Sequence, residues 1–152
     1  MQQEFAKDIR LTTPVADVWS ALLDFQRVAS WLSVVGQVRE VEPMRRYTAV
    51  LEDRVGPFAL TADLAVSVDA SEPEHRLHVA ASGEDRQVAS RISAAVDLAV
   101  RDDGAGSLVA ASGRYEITGR IATLGAGAIR KKGDKVLEEF FANLSRELGT
   151  AP

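Results

Sequence analysis

The stretch from Gly119 to Leu148 is one long amphipathic segment closing a chain that otherwise alternates like strands, and it limits what the rest can fold into. A helix of that length after a run of strands reads as a lid over a curved sheet. Its second half carries Gly133, Val136, Leu137, Phe140, Phe141 and Leu144 as a stripe of helical period, with Lys132, Lys135, Glu138, Glu139 and Asn143 turned elsewhere. That half is the expected anchor. Glycines fall at Gly125, Gly127 and Gly133, although each costs about 1 kcal/mol against alanine inside a helix. The simplest reason for them is room for something bound.

Upstream, Phe5, Ile9 and Leu11 alternate with Glu4, Asp8 and Arg10 as a first strand, with Lys7 the exception on its apolar side. The period then changes. Thr13 before Pro14 predicts a helix start, the hydroxyl capping and the proline in the first helical position, and Val15, Val18, Trp19 and Leu22 form its stripe. A second short helix carries Val28, Trp31 and Leu32, ended by Gly36 before an extended stretch around Val38 to Val41, and Pro43 marks the next turn. From Tyr47 to Ile117 the pattern is antiparallel strands with one face in water, including a strand from Val88 to Val100 long enough to bend. Asp102-Asp103-Gly104-Ala105-Gly106 is turn chemistry. The expected order is one strand, two short helices, about six more strands and the long helix.

At 152 residues, 46% hydrophobic and 26% charged, the chain predicts a single α+β domain over 1–152. Its net charge of −4 comes from intermixed acids and bases, so no basic field exists to hold nucleic acid. With no cysteine there are no disulfides, thiolate nucleophiles or cysteine zinc sites. Met1-Gln2-Gln3-Glu4-Phe5 does not open like a secretory leader, and no apolar run approaches the ~20 residues of a membrane span. A cytoplasmic protein is expected, at most peripheral to the membrane's inner face. Oligomeric state stays open.

The element order, with Pro14-Val15-Ala16-Asp17-Val18-Trp19 opening the first helix, resembles the START-like (SRPBCC) helix-grip superfamily. Within it, Asp53-Arg54-Val55-Gly56-Pro57-Phe58, Gly119-Arg120-Ile121-Ala122-Thr123-Leu124-Gly125 and Phe140-Phe141-Ala142-Asn143-Leu144 are similar to the carbon monoxide dehydrogenase G-subunit family, over residues 4 to 148. The resemblance implies a curved sheet of about seven strands wrapped round the long helix, enclosing a hydrophobic cavity. It further implies carriage of a quinone, lipid or similar molecule, or a membrane-recruitment role, beside a molybdenum-containing carbon monoxide dehydrogenase-like hydroxylase. Some members continue past the long helix into a tail thought to reach the membrane. This chain ends at Gly149-Thr150-Ala151-Pro152, and stable self-anchoring is not expected.

Little in the chain suggests chemistry. His75 and His78, three apart at the start of a strand, point to opposite faces, so no shared metal is expected, and no cofactor either. Gly125-Ala126-Gly127 lacks the third glycine and the βαβ setting of a dinucleotide loop. Glu52, Asp53 and Arg54 read as surface residues beside a turn. Arg130, Lys131, Lys132 and Lys135 form a basic cluster, a solvated face or a transient contact with an anionic surface. Ser90 and Tyr115 are different, because both lie on the apolar parity of their strands. They are either polar anchors for a ligand's head group or hydroxyls bonded to backbone or water. The expected cavity lies under the first half of the long helix, lined by Leu64, Val79, Ile92, Ala94, Ala111, Leu124 and Ala128 beside those two hydroxyls. No catalytic residue is expected. The alternatives are a polyketide cyclase or dehydratase, which needs an inward acid or base next to Ser90 or Tyr115, and an assembly factor working through its surface.

Overall fold

A computed structural model of the chain describes residues 2–149. The rest of the C-terminal tail, 150–152, lies outside the described residues. Seven strands, β1 (Gln2–Leu11), β2 (Val35–Glu42), β3 (Arg46–Val55), β4 (Phe58–Ser71), β5 (Arg76–Asp85), β6 (Ser90–Asp102) and β7 (Ser107–Gly119), form one sheet in the order β1-β7-β6-β5-β4-β3-β2. Every pairing is antiparallel. Helices α1 (Val15–Leu23) and α2 (Phe25–Ala29) follow β1, and a 3-10 turn (Arg120–Leu124) and α3 (Ala126–Leu148) follow β7. These are the elements that the hydrophobic periods predict.

Three local details depart from expectation. The N-cap of α1 is Pro14, with no side-chain cap, and the Thr13 hydroxyl donates to the Leu148 carbonyl instead. That carbonyl belongs to the last turn of α3, where no intrahelical donor remains. Gly36 lies inside β2 rather than ending a helix. The terminal segment is not one helix either. It breaks at Gly125, whose φ of 90° disfavours a side chain, so the 3-10 turn and α3 keep separate phases.

Register places the residues in rows across the concave face. Ile9, Val109 and Val100 form one row, and Lys7, Ala111, Leu98 and Leu77 the next. These rows close over Val18, Trp19 and Leu22 of α1 and Phe141, Leu144 and Leu148 of α3 as the main core. Lys7, the apolar strand's exception, lays its ammonium 5.2 Å from the Phe141 ring centroid. At the other end of the sheet Val55, Leu60 and Ile121 form a separate cluster, with Phe58 and Leu124 packed against it. The domain is therefore closed at two ends by two cores.

Candidate functional site

Between those cores run two further rows, Tyr115-Ala94-Ala81-Val66 and Ile117-Ile92-Gly83-Leu64. They lie on the inward parity of the sheet, and all eight residues are only half-buried, as are Gly133, Val136 and Leu137 of α3. Val66 and Leu137 pack against the main core, Ile92 and Ile117 against the second, and Tyr115 against Gly133. Small residues at the centre, Ala81, Gly83 and Ala94, hollow the sheet where a packed core would carry leucines. The result is an inward face of small and apolar residues left partly accessible between the two cores.

The helix meets this face asymmetrically. On the β7 side it comes so close that a Cβ at Gly133 would fall 2.0 Å from the Tyr115 hydroxyl oxygen. Gly133 is thus a contact glycine. On the side of β3 and α2 the helix is tied by polar side chains as well as by Phe140, edge-on to Trp31: Lys132 Nζ lies 2.9 Å from Asp53 Oδ1. Glu139 accepts from the Ser33 N–H and hydroxyl at 2.6 and 2.8 Å. Asn143 donates to the Trp31 carbonyl at 2.8 Å, and Glu147 accepts from the Trp31 indole. Lys132, Glu139 and Asn143, expected to point away from the body, instead tie α3 to the rest.

The two expected anchors part company. Ser90 is buried, and its hydroxyl donates to the Val88 carbonyl and accepts from the Ile121 N–H, both at 3.0 Å. It closes the turn beneath the second core and offers a ligand nothing. Tyr115 is half-buried and stands in the open row, against the helix. Burial raises its pKa, with Asp134 adding and Arg130 opposing. Its hydroxyl therefore keeps its proton at physiological pH and remains a donor.

Of the expected lining, Leu64 and Ala94 are half-buried on the inward parity, Ile92 is half-buried against the second core, and Val79 is half-buried against the main core. Leu124 packs on the second core and over the Gly56 turn. Two positions need correction. Ala111 is 3% exposed inside the main core, and Ala128 is exposed on the outer face of α3. The helix phase explains Ala128: starting only after Gly125, α3 turns Ile129 and Gly133 inward, which leaves the preceding alanine outside. Gly127 is likewise exposed, and Gly125 serves the helix start, so neither makes room.

Asp53, expected at the surface, lies on the inward parity of β3 with 18% of its side chain exposed. The run of acids and the adjacent turn mask this in the sequence; parity counted forward from Tyr47 reveals it. Asp85 carries no sequence signal of its own. It is buried, and accepts from the N–H groups of Thr61, Gln87 and Val88. The Thr61 bond leads in holding its pKa down, against the opposing effect of burial.

The histidines separate. His75 packs on the Trp19 ring at 5.3 Å, and His78 sits exposed with Nδ1 2.6 Å from Asp97. Among the described residues no three His, Cys, Asp or Glu side chains cluster to hold a metal. Trp19 and Trp31 are both core residues, and Trp19 Nε1 is buried with no hydrogen-bond partner among the described residues. In the basic cluster, Arg130 donates to Gln3 and Lys132 pairs with Asp53, while Lys131 and Lys135 are exposed. Among the described residues no helix is long and apolar enough to cross a membrane. A shallow open depression of about 580 Å³ is lined by residues of both parities, Thr48, Ala65 and Ser82 together with Val66, Ala81 and Ala94.

A bent antiparallel sheet gripping a C-terminal helix defines the helix-grip class. Solved structures carry the same fold. A conserved protein from Geobacillus kaustophilus is 16% identical over 97% of this chain and 95% of that one, with a TM-score of 0.80. TTHA0849 from Thermus thermophilus is 19% identical over 97% and 94%, at 0.64. Ara h 8.0201 is 15% identical over 96% and 97%, at 0.63. The family model of the carbon monoxide dehydrogenase G subunit (CoxG) matches residues 8–149, and the chain belongs to that family. Among curated proteins none matches it.

Proposed function

We propose that the protein binds a hydrophobic small molecule, a quinone, lipid or similar lipophile, beneath α3 and releases it unchanged. One observation carries the reading: eight half-buried residues, apolar but for one phenol, line the middle of the concave face between two closed cores. Burial supplies the affinity. Each 100 Å² of apolar surface removed from water contributes about 2.5 kcal/mol, so about 400 Å² gives about 10 kcal/mol before ordering losses. Micromolar binding needs about 8 kcal/mol. Tyr115 is the one polar group in the open rows, and its protonated hydroxyl suits a carbonyl head group.

Chemistry on the ligand is not part of this proposal. The inward carboxylates are both engaged, Asp53 by Lys132 and Asp85 by three backbone donors. A cyclase would need one of them free beside Tyr115. Membership of the CoxG family supports a place beside a carbon monoxide dehydrogenase-like molybdenum hydroxylase, to which the lipophile would be delivered or from which it would be taken. Native mass spectrometry of protein purified from its own host is the test. A copurified lipophile is expected, lost on organic extraction and regained on adding a quinone. Ligand-free protein that gains no mass with any quinone or lipid would refute the reading.

A further inference from the structure

We propose that the end of the domain where α3 begins docks on an anionic lipid surface, through basic side chains gathered on its connecting segments. Antiparallel pairing sends alternate turns to opposite ends of the sheet. The turns 56–57 and 86–89, the 3-10 turn and the first turns of α3 share one end, where the Arg120 N–H donates to the Ala89 carbonyl and Leu124 lies over Gly56. Up to Gly133 these segments carry Arg86, Arg120, Arg130, Lys131 and Lys132, and no acid. The turns at the other end, 12–14, 43–45, 72–75 and 103–106, carry Glu72, Glu74 and Asp103 against Arg45. In a chain of net charge −4 the two ends therefore differ in sign, and it is strand pairing that brings Arg86 to the same end as the cluster beginning at Arg130.

The carboxylates of the adjoining strand ends are engaged. Asp53 pairs with Lys132, Glu84 with Arg91 at 2.8 Å, and Asp85 is buried on backbone N–H groups. Beyond Gly133, exposed Asp134 is balanced by exposed Lys135. That leaves Arg86, Arg120, Arg130 and Lys131 exposed, with no carboxylate partner among the described residues. The start of α3, which has no side-chain cap, adds the partial positive charge of its first N–H groups. Among these cations the exposed residues are Thr123, Ala126, Gly127 and Ala128, small and uncharged. Long basic side chains around small residues suit a layer of phosphates, which presents negative charge throughout and demands no matched pocket. The choice of lipid over an acidic protein rests on the carrier reading above, since a molecule that dissolves in bilayers has to be met there.

The test is cosedimentation of the ligand-free protein with vesicles of mixed phosphatidylglycerol and phosphatidylcholine, and with vesicles of phosphatidylcholine alone. Binding to the anionic vesicles only, weakened by salt, is expected. Arg86→Ala and Lys131→Ala are each expected to lower the partition coefficient about fivefold, while Lys131→Arg, and Arg45→Ala at the opposite end, leave it unchanged. Arg86 and Lys131 stand on separate segments, so a loss at both reports a face rather than one helix. Equal binding to the two vesicle types, binding to neither, or the same loss in Arg45→Ala would overturn the proposal. Salt-sensitive binding to polyglutamate without binding to vesicles would overturn it too, and would assign this end to an acidic protein. Quinone titrations of the same proteins keep the two readings apart. Quinone binding by a protein that ignores the vesicles would strike this inference alone, and vesicle binding by a protein that takes no quinone would uphold it and strike the carrier reading.

Discussion

Tyr115 and Ser90 occupy the same parity of neighbouring strands, and only their surroundings separate them. Parity tells which face each hydroxyl takes; it does not tell that the turn at Val88 and the start of the 3-10 segment converge on Ser90. Asp53 escapes a sequence reading for a related reason, since a carboxylate beside a turn looks solvated until its partner from a distant helix is known. Tyr115→Phe is expected to weaken a quinone by about 1 kcal/mol, roughly fivefold, while leaving a hydrocarbon of similar size unaffected. Equal losses for both ligands in parallel titrations would remove the hydroxyl as an anchor. Asp85 supplies a pH prediction. Its folded pKa lies below the unfolded value, so its stabilisation is present above about pH 4 and is lost as pH falls through the folded value. Asp85→Asn should therefore be less stable than the native protein at neutral pH. Urea melts at descending pH should find the difference shrinking below about pH 4, and a constant difference would contradict the assigned bonds.

At the scale of elements, α3 is two devices on one axis. Its C-terminal half buries Phe141, Leu144 and Leu148 in the main core, and the apolar stripe makes this legible in the sequence. Phe140, also expected to anchor, is only partly buried, edge-on to Trp31 and Phe141, so Leu144 is the better probe of that core. Leu144→Ala should cost about 2–5 kcal/mol, and a loss under about 1 kcal/mol in urea melts would mean that this half is not the anchor. The N-terminal half is less legible, because the break at Gly125 depends on a positive φ that periodicity does not report. Gly133 tests the close approach directly. Gly133→Ala forces a methyl onto the Tyr115 ring and should destabilise, whereas with Tyr115→Ala in the same chain the alanine should be tolerated. Additive losses in the double-mutant cycle would show that the two do not touch.

For the molecule as a whole, the fold is legible because two periods, strand and helix, agree with a chain order that places the long helix last. The interior is less legible, since a hollow is a property of rows that form only when strands pair in register. Ala81, Gly83, Ala94 and Leu64 are ordinary small or apolar residues in three separate stretches until β4, β5 and β6 align them. The central claim is that the space over these rows holds the ligand. It is tested most directly by titrating a short-chain quinone into the native protein and into Ala94→Trp, with circular dichroism confirming that the variant keeps its strands and helices. Saturable binding in the micromolar range is expected for the native protein, falling at least tenfold in the variant because the indole fills the hollow. Equal affinity in two folded proteins would contradict the account.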